Sequence, residues 1–469
     1  MTPTMKLRFI IYWVLPAIGL SGCKKLVQVG TPETQLSTEV IFSSDETAVG
    51  ALMGMYSKAV GSSGLILNGG SSVYPSLSAD ECVPASPVAA FLEFSNNNLG
   101  SANNYVSILY SSAYSTLYDA NILLENLPLS STTAVSMTVK RQLNGEARFM
   151  RALLYCKLVD LYGDVPLETS TNADVNATMP RTASTSVYAQ VLSDLNAADT
   201  LLDTAYASAA SQSQGSRTRP NRWAASALLA RLHLYKGEWA AAEQAATAVI
   251  NSGYYLLEPS LDSVFRAGSR EAIWQMQPVT TLMNSGDGYL FLPLDNALSK
   301  PPDTLSSWLS NAFETGDLRK QHWVGTKTIG GISYRYPAKY KVRAGPPYVE
   351  YEMVLRLAEV YLIRAEARAR NSELTDAIKD LNVIRNRAGL SPLPDTLDQL
   401  AVFAAVAQER RIELFAEWGH RWSDLRRTGA ADTVLGLEKP GWAATDALYP
   451  MPAREIQRNA NITQNLGYK

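Results

Sequence analysis

The chain has 469 residues, of which 46% are apolar and 18% are charged, and its formal net charge is -2. This composition is sufficient for a large hydrophobic core and excludes a disordered chain, and the small net charge argues against a nucleic-acid partner. Three histidines are present, and none has another histidine or a cysteine at the spacing of metal ligands, which argues against a zinc enzyme.

The N-terminus has the organisation of a bacterial export signal. Two basic residues precede an apolar run over residues 9–20, which is too short to cross a bilayer of about 30 Å. The run ends in the sequence LSGC, which resembles a lipobox, where the signal peptide is removed and the cysteine is lipidated. We therefore expect residues 1–22 to be a signal peptide and Cys23 to carry a lipid anchor. A plain secretory signal is the alternative.

Amphipathic helices are predicted along much of the chain that follows. Apolar residues recur at three- and four-residue steps in segments that begin after Ser or Asp or stop at Gly or Pro. These segments are residues 44–60, 105–127, 139–162, 187–202 and 223–250. Residues 61–100 are rich in Gly, Ser, Pro and Asn and are predicted to form long ordered loops.

Two helical hairpins are predicted within this pattern. The helix over residues 223–250 is interrupted at Gly237, so that a tight turn joins two helices with many small residues, as in a tetratricopeptide-type hairpin. A second hairpin is predicted over residues 356–389, with its turn at Asn371. The two hairpins are far apart in the sequence, so the sequence does not indicate a tandem array.

The segment between the hairpins has a different character. Residues 256–348 contain short apolar or aromatic runs among Gly, Pro and Asn, which predict an irregular insertion with short strands and little helix. A final helical block is predicted over residues 397–427, and a tail follows it.

Six sequence blocks resemble, in order, the SusD/RagB family of outer-membrane nutrient-binding lipoproteins of Bacteroidota. The first is the lipobox cysteine, and the others are NGEARFMRALLYCKLVDLYGDVPL, RPNRWAASALLARLHLYKGEW, VLRLAEVYLIRAEARA with LNVIRNRAG, QERRIELFAEWGHRWSDLRRTG and LYPMPAREIQRNANITQNLGY. The resemblance implies a mainly α fold over residues 23–469, a bundle of tetratricopeptide-like helical pairs. Its scaffold would cover about 44–255 and 349–469, with the loop-rich insertion at about 256–348.

The same resemblance implies a function. The protein is expected to bind oligosaccharide or a related nutrient through loops on one face, without catalysis and without a cofactor. It is expected to deliver the ligand to a SusC-like TonB-dependent transporter at the outer membrane, where its lipid anchor would hold it at the cell surface. Lys24 and Lys25 follow the cysteine, where surface-exposed members of the family often carry acidic residues.

The acidic residues of the chain allow an enzymatic alternative. Glu409, Glu413 and Glu417 recur at four-residue steps, and we interpret them as part of an internal network with nearby arginines, Arg410, Arg411, Arg421 and Arg426. A glycoside hydrolase needs two carboxyl groups that face a sugar. Asp80 with Glu81, or Asp287 with Asp295, are candidates, but no motif distinguishes them. A peptide-binding helical scaffold is a further alternative.

A sugar site needs exposed aromatic rings together with amide and carboxylate groups. Two long irregular stretches, residues 61–104 and 256–348, contain both, and we predict the site where they meet. The predicted stacking residues are Tyr74, Tyr289 and Trp323, and the predicted hydroxyl partners are Asp80, Asn96 and Asn98. Further loop candidates are Asn284, Asp287, Tyr334 and Tyr336, whereas Trp274 is predicted to be core and Trp308 to pack on a short helix. For each aromatic residue, packing within the loop is the alternative.

Overall fold

The structure is a computed structural model that describes residues 38–130, 134–208 and 215–468. The predicted signal peptide and Cys23 lie outside the described residues. Within the described ranges, none of the helices has the length and apolar character that crossing a membrane requires.

The described chain is mainly helical, as predicted. Its α-helices are α1 Thr38–Ile41, α2 Asp45–Ala59, α3 Gly70–Ser78, α4 Ala89–Ser95, α5 Asn104–Asn126, α6 Met137–Tyr162, α7 Ala173–Asn176, α8 Ser184–Leu201, α9 Arg222–Lys236, α10 Trp239–Asn251, α11 Gly286–Phe291, α12 Ser307–Ala312, α13 Leu318–Trp323, α14 Leu357–Arg370, α15 Leu374–Arg387, α16 Gln399–Glu413, α17 His420–Arg427, α18 Ala431–Glu438 and α19 Ala453–Arg458. Its strands are β1 Cys82–Pro84, β2 Ala272–Met276, β3 Asp303–Leu305, β4 Val324–Ile329, β5 Ile332–Pro337 and β6 Glu352–Arg356.

Local sequence signals account for the long helices. The hydroxyl of Ser44 accepts a hydrogen bond from the backbone N–H of Thr47 at 3.2 Å and so caps the N-terminus of α2. Gly237 follows α9 in the left-handed conformation, with φ of 74°, which permits the tight turn into α10. The helices predicted from the apolar pattern are confirmed with small differences at their ends.

Residues 61–100 differ from the prediction of loops. They contain two helices, α3 and α4, and the short strand β1. Every residue of α3 is buried, so tertiary packing stabilises a sequence whose Gly, Ser and Pro content is poor for a helix. A Cβ atom on Gly70 would lie 2.5 Å from the carbonyl oxygen of Gly64, so glycine is needed where the helix begins.

The two hairpins are neighbours in space although they are distant in sequence. Helix α10 packs against α14, so the hairpin α14–α15 stacks on the hairpin α9–α10. Arg231 of α9 and Glu359 of α14 form a buried ion pair with an Nε–Oε1 distance of 2.6 Å. The helical array is therefore continuous in space. The intervening residues 252–356 lie outside the array and connect α10 to α14.

The insertion contains the predicted strands and also three helices of six residues each, α11, α12 and α13. Strands β4 and β5 form a hairpin, and β2 pairs antiparallel with β6 at the entry to α14. Strand β3 pairs with β1, with Cys82 opposite Leu305. This last pairing brings α12 of the insertion beside the ends of α3 and α4.

A buried arginine joins the hairpins, the insertion and the final helical block. The guanidinium of Arg356 donates to Glu417 at 2.7 Å, to Glu413 at 2.6 Å and to Glu271 at 3.0 Å. Arg356 is 2% exposed and Glu413 is fully buried. Buried charges need partners of this kind, because an unpaired charge in the interior has a large desolvation penalty.

The predicted structural role of Glu409, Glu413 and Glu417 is confirmed, but their predicted partners are wrong. Their cations come from distant segments, such as Arg319, whose guanidinium lies 3.2 Å from Glu409. The arginines near them in sequence bind other acids instead. These pairs are Arg410 with Asp424, Arg411 and Arg421 with Asp80, and Arg426 with Asp160.

We predict that Arg356→Met lowers the free energy of unfolding by about 3–5 kcal/mol, because it leaves buried glutamates without their shared cation. Urea denaturation followed by circular dichroism measures the change. Arg458→Met is the matched control, since Arg458 forms an exposed pair with Glu455, and such pairs contribute about 0–1 kcal/mol. Equal losses in the two variants would show that the network is not needed for stability.

Candidate functional site

A cavity of about 720 Å³ lies where α3, α4, β1, α12 and α18 meet. We call it the Trp308 cavity. Its polar and aromatic lining includes Asp80, Asn96, Asn98, Trp308, Glu438 and Lys439. These residues come from the first loop region, the insertion and the C-terminal part of the chain. The cavity therefore lies where the two regions predicted to form the site meet. A third region, residues 438–441, also lines it and was not predicted.

Trp308 is the aromatic residue that this cavity offers to a ligand. It is 49% exposed, and its indole N–H has no hydrogen-bond partner among the described residues. By contrast, the indoles of Trp274 and Trp323 are buried and donate to backbone carbonyl oxygens. An exposed ring with a free N–H suits both stacking on a sugar face and donation to a hydroxyl.

The prediction that Trp308 packs on a short helix is wrong for its side chain. Within α12, Leu309 is buried, whereas Trp308 is exposed together with Ser307 and Asn311. The polar residue Asn311, three positions after Trp308 on the same side of the helix, is the sequence signal that Trp308 faces solvent. The prediction that Trp274 is core is confirmed, with 0% exposure.

Two predicted hydroxyl partners, Asn96 and Asn98, line the Trp308 cavity with exposed side chains. Asn97 between them has φ of 51° and is buried, so this turn directs its two neighbours outward. Within the described ranges, the side-chain amides of Asn96 and Asn98 form no hydrogen bond to the protein. Each amide therefore retains a donor and an acceptor for a ligand.

The third predicted partner, Asp80, lines the cavity but does not offer a free carboxylate. Its side chain is fully buried, and Arg421 donates to both oxygens at 2.6 and 2.7 Å while Arg411 donates at 2.6 Å. Burial raises its pKa, but the hydrogen bonds and charges of the two arginines outweigh burial and lower the pKa overall. Asp80 thus orders the cavity floor, which corrects its predicted role as a direct ligand contact.

Glu438 and Lys439 form the opposite wall. Lys439 donates to the carbonyl oxygens of Leu77 and Ser78 at the end of α3, a favourable position for a cation. Burial lowers the pKa of Lys439 to about 7. Burial, followed by the charge of Asp80, raises the pKa of Glu438 to about 7. One buried oxygen of Glu438 has no donor within the described chain.

The predicted stacking roles of Tyr74 and Trp323 are wrong because both rings are buried. Tyr74 is 2% exposed and stacks on Phe94 with a centroid distance of 5.1 Å. Trp323 is fully buried, with the ammonium of Lys339 above its ring at 4.6 Å. Neither ring can contact a ligand without unfolding its surroundings.

The third predicted stacking residue, Tyr289, is half-buried and does not line the Trp308 cavity. The guanidinium of Arg343 lies 4.0 Å from the centre of its ring. Asn284 is buried and binds the backbone around residues 345–350. Tyr334 and Tyr336 lie on one face of the hairpin β4–β5, outside the Trp308 cavity.

Neither carboxyl pair considered for hydrolysis has both members in the lining of the Trp308 cavity or of the void beside Asp287. Asp287 is buried beside a void of about 10 Å³, which is too small for a sugar. Glu81 is also buried and accepts a hydrogen bond from the backbone N–H of Ala416 at 3.2 Å. Among the described residues, no group of three or more His, Cys, Asp or Glu side chains could hold a metal ion.

A larger cavity, of about 840 Å³, lies beside the C-terminal segment. Its arginines are bound by the protein: Arg181 donates to the carbonyl oxygen of Asp164, and Arg427 donates to Glu366. Its tyrosines, Tyr188 and Tyr235, are mostly buried. We therefore favour the smaller Trp308 cavity, where the aromatic ring is exposed and the polar groups are free.

The carboxyl groups of Asp287 and Glu352 form a buried pair, and this pair holds a titratable proton. One oxygen of each carboxyl group is buried without a donor in the described ranges, and the two side chains are hydrogen-bond neighbours. One shared proton satisfies both oxygens. Burial, followed by the neighbouring carboxyl, raises the pKa of Asp287, and burial raises the pKa of Glu352 from 4.5 to about 7.

We predict that this pair makes the folded state less stable as the pH rises. The folded state retains a proton that the unfolded chain releases near pH 4.5, so the contribution is full below that pH and is lost as the pH rises through about 7. The free energy of unfolding of the wild type should fall by roughly 2–3 kcal/mol between pH 4.5 and 8, relative to that of Glu352→Gln. The glutamine keeps a hydrogen-bonding group but does not titrate.

Urea denaturation across this pH range measures the difference between the two proteins. Glu46→Gln, a change at an exposed carboxyl group, is the control. Its free energy of unfolding should depend on pH in the same way as that of the wild type. Parallel curves for the wild type and Glu352→Gln would contradict the shared proton.

Two family patterns match the chain. Residues 317–468 match the SusD family, and residues 71–234 match a family described as starch-binding associating with outer membrane. A SusD-like protein of Formosa agariphila is 24% identical across 99% of this chain and 100% of its own length. The starch-binding protein SusD of Bacteroides thetaiotaomicron is 33% identical over 153 residues, which cover 31% of this chain and 26% of SusD.

Solved structures share the fold. A SusD superfamily protein from Bacteroides vulgatus superposes with a TM-score of 0.77 and 21% identity, over 90% of this chain and 99% of that protein. A laminarin-binding SusD-like protein superposes with a TM-score of 0.75 and 24% identity, over 90% of this chain and 99% of that protein. At these identities the structural similarity concerns the fold.

Proposed function

The chain belongs to the SusD family, and from this premise we propose that it is a non-catalytic glycan-binding protein whose ligand enters the Trp308 cavity. The observation that carries the proposal is the exposed indole of Trp308 beside the free amides of Asn96 and Asn98. The face of a sugar ring is rich in C–H groups and packs on an indole, while its hydroxyls need donors and acceptors of the amide type.

The surrounding charges fit the same role. Asp80 was a candidate catalytic acid, but its charge is neutralised by Arg411 and Arg421. Glu438 is the other acidic residue in the lining of the cavity, so the lining does not contain two free carboxylates. Two carboxyl groups on either side of a sugar are the usual requirement for hydrolysis. The proposed site therefore binds a glycan and releases it unchanged.

The family context suggests what happens to the bound glycan. We propose that Cys23 carries a lipid anchor at the outer membrane, and that the protein presents its ligand at the cell surface to a SusC-like TonB-dependent transporter. The lipobox sequence before Cys23 supports the anchor. Support for the transporter is the family membership, together with the description of the matched family as associating with outer membrane.

We predict that Trp308→Ala lowers the affinity for the bound glycan about thirtyfold or more, because truncation of a central aromatic contact often removes 2 kcal/mol or more. A glycan microarray that includes laminarin and starch identifies the ligand, and calorimetry measures its affinity. Loss of one amide, in Asn96→Ala or Asn98→Ala, should lower the affinity by about two- to tenfold.

Tyr118→Ala is the matched control, because Tyr118 is another exposed aromatic residue, 46% exposed on α5, outside the cavity. It should leave the affinity unchanged. Unchanged affinity in Trp308→Ala, with an unchanged melting temperature, would mean that the ligand binds elsewhere. Absence of binding to every glycan on the array would contradict the proposed function itself.

We predict that the tagged wild type, purified from its native host in mild detergent, is recovered from the membrane fraction together with a large outer-membrane β-barrel protein. Cys23→Ala should appear in the soluble fraction, because it removes the attachment point of the lipid. Membrane recovery of Cys23→Ala with incorporated fatty acid would refute the anchor. Purification of the wild type without a barrel protein would count against the transporter.

A further inference from the structure

A second open cavity, of about 420 Å³, adjoins the Trp308 cavity. We call it the Asn311 cavity. Its lining consists of Ser307, Trp308, Asn311, Ala312, Gln408 and Arg411. Trp308 lines both cavities, so the exposed indole stands at the boundary between them.

The floor between the cavities is also continuous. Arg411 lines the Asn311 cavity, and its Nη2 atom lies 2.6 Å from Oδ2 of Asp80, which lines the Trp308 cavity. One ion pair therefore supports both spaces. Because Asp80 is also bound by Arg421 at 2.6 Å, this floor is held rigidly by three charged groups.

The Asn311 cavity offers free polar groups of its own. Ser307 and Asn311 are exposed, and their side chains have no hydrogen-bond partner in the part of the chain that the structure describes. Trp308 and Asn311 are three positions apart on α12, which separates their Cβ atoms by about 5–6 Å. A sugar ring stacked on Trp308 would thus have its neighbouring ring beside Asn311.

We propose that one glycan chain crosses Trp308 and occupies both cavities, so that the ligand is an internal segment of a linear polysaccharide rather than a chain end. This inference rests on the proposed function of the Trp308 cavity. Both cavities are open to solvent. The two ends of a bound segment therefore continue outward.

The test is the dependence of affinity on chain length. Calorimetry with laminari-oligosaccharides, malto-oligosaccharides and a matching series cut from the best polysaccharide of the array covers the range from disaccharide to heptasaccharide. The wild type should bind the hexasaccharide about tenfold or more tightly than the disaccharide, because the longer chain gains hydrogen bonds in the Asn311 cavity. The double variant Ser307→Ala/Asn311→Ala should reduce this gain to about twofold.

Two controls separate this result from a general defect. Asn96→Ala should weaken binding at every length, whereas Asn251→Ala, at an exposed position on α10, should have no effect. Equal affinity of the wild type for short and long chains, or an equal loss at all lengths in the double variant, would overturn the inference but leave the proposed function intact. Failure of the wild type to bind any glycan would overturn both.

Discussion

The guanidinium of Arg356 is the point on which the architecture depends. It stands at the junction of β6 and α14 and binds Glu271 of the segment leading into β2, Glu413 at the end of α16 and Glu417 in the following turn. A planar group with several fixed donors holds these carboxylates at defined angles, which a flexible ammonium group does not do. The helical array, the insertion and the final block are thereby fixed relative to one another.

The shape of the Trp308 cavity depends on this arrangement. The segment that supplies Glu413 and Glu417 to the interior also supplies Arg411 and Arg421 to Asp80. One stretch of chain thus connects the buried network with the cavity floor. Strand pairing between β1 and β3 then brings α12, and with it Trp308, to the other side of the same floor.

The sequence predicts the long helices because their apolar periodicity is a local property, and the hairpins because a glycine or asparagine marks each turn. It does not predict α3, since that helix depends on complete burial rather than on its own residues. The composition of the first loop region predicts Asn96 and Asn98 as polar contacts, and both line the cavity. The sequence predicts the opposite exposure for Trp308 and Trp323, because contacts between distant segments cover the second indole and not the first. Distant residues such as Leu261, whose carbonyl accepts from Trp323, decide which indole is covered.

The Trp308 cavity draws its walls from residues 79–98, 306–308 and 438–441, which span most of the chain. Contacts between such remote segments require the closure of long loops, whereas contacts within a helical hairpin are local. The cavity is complete only when the last of these segments has docked. A chain that ends before residues 438–441 would lack one wall of the Trp308 cavity, even if its helical hairpins had formed.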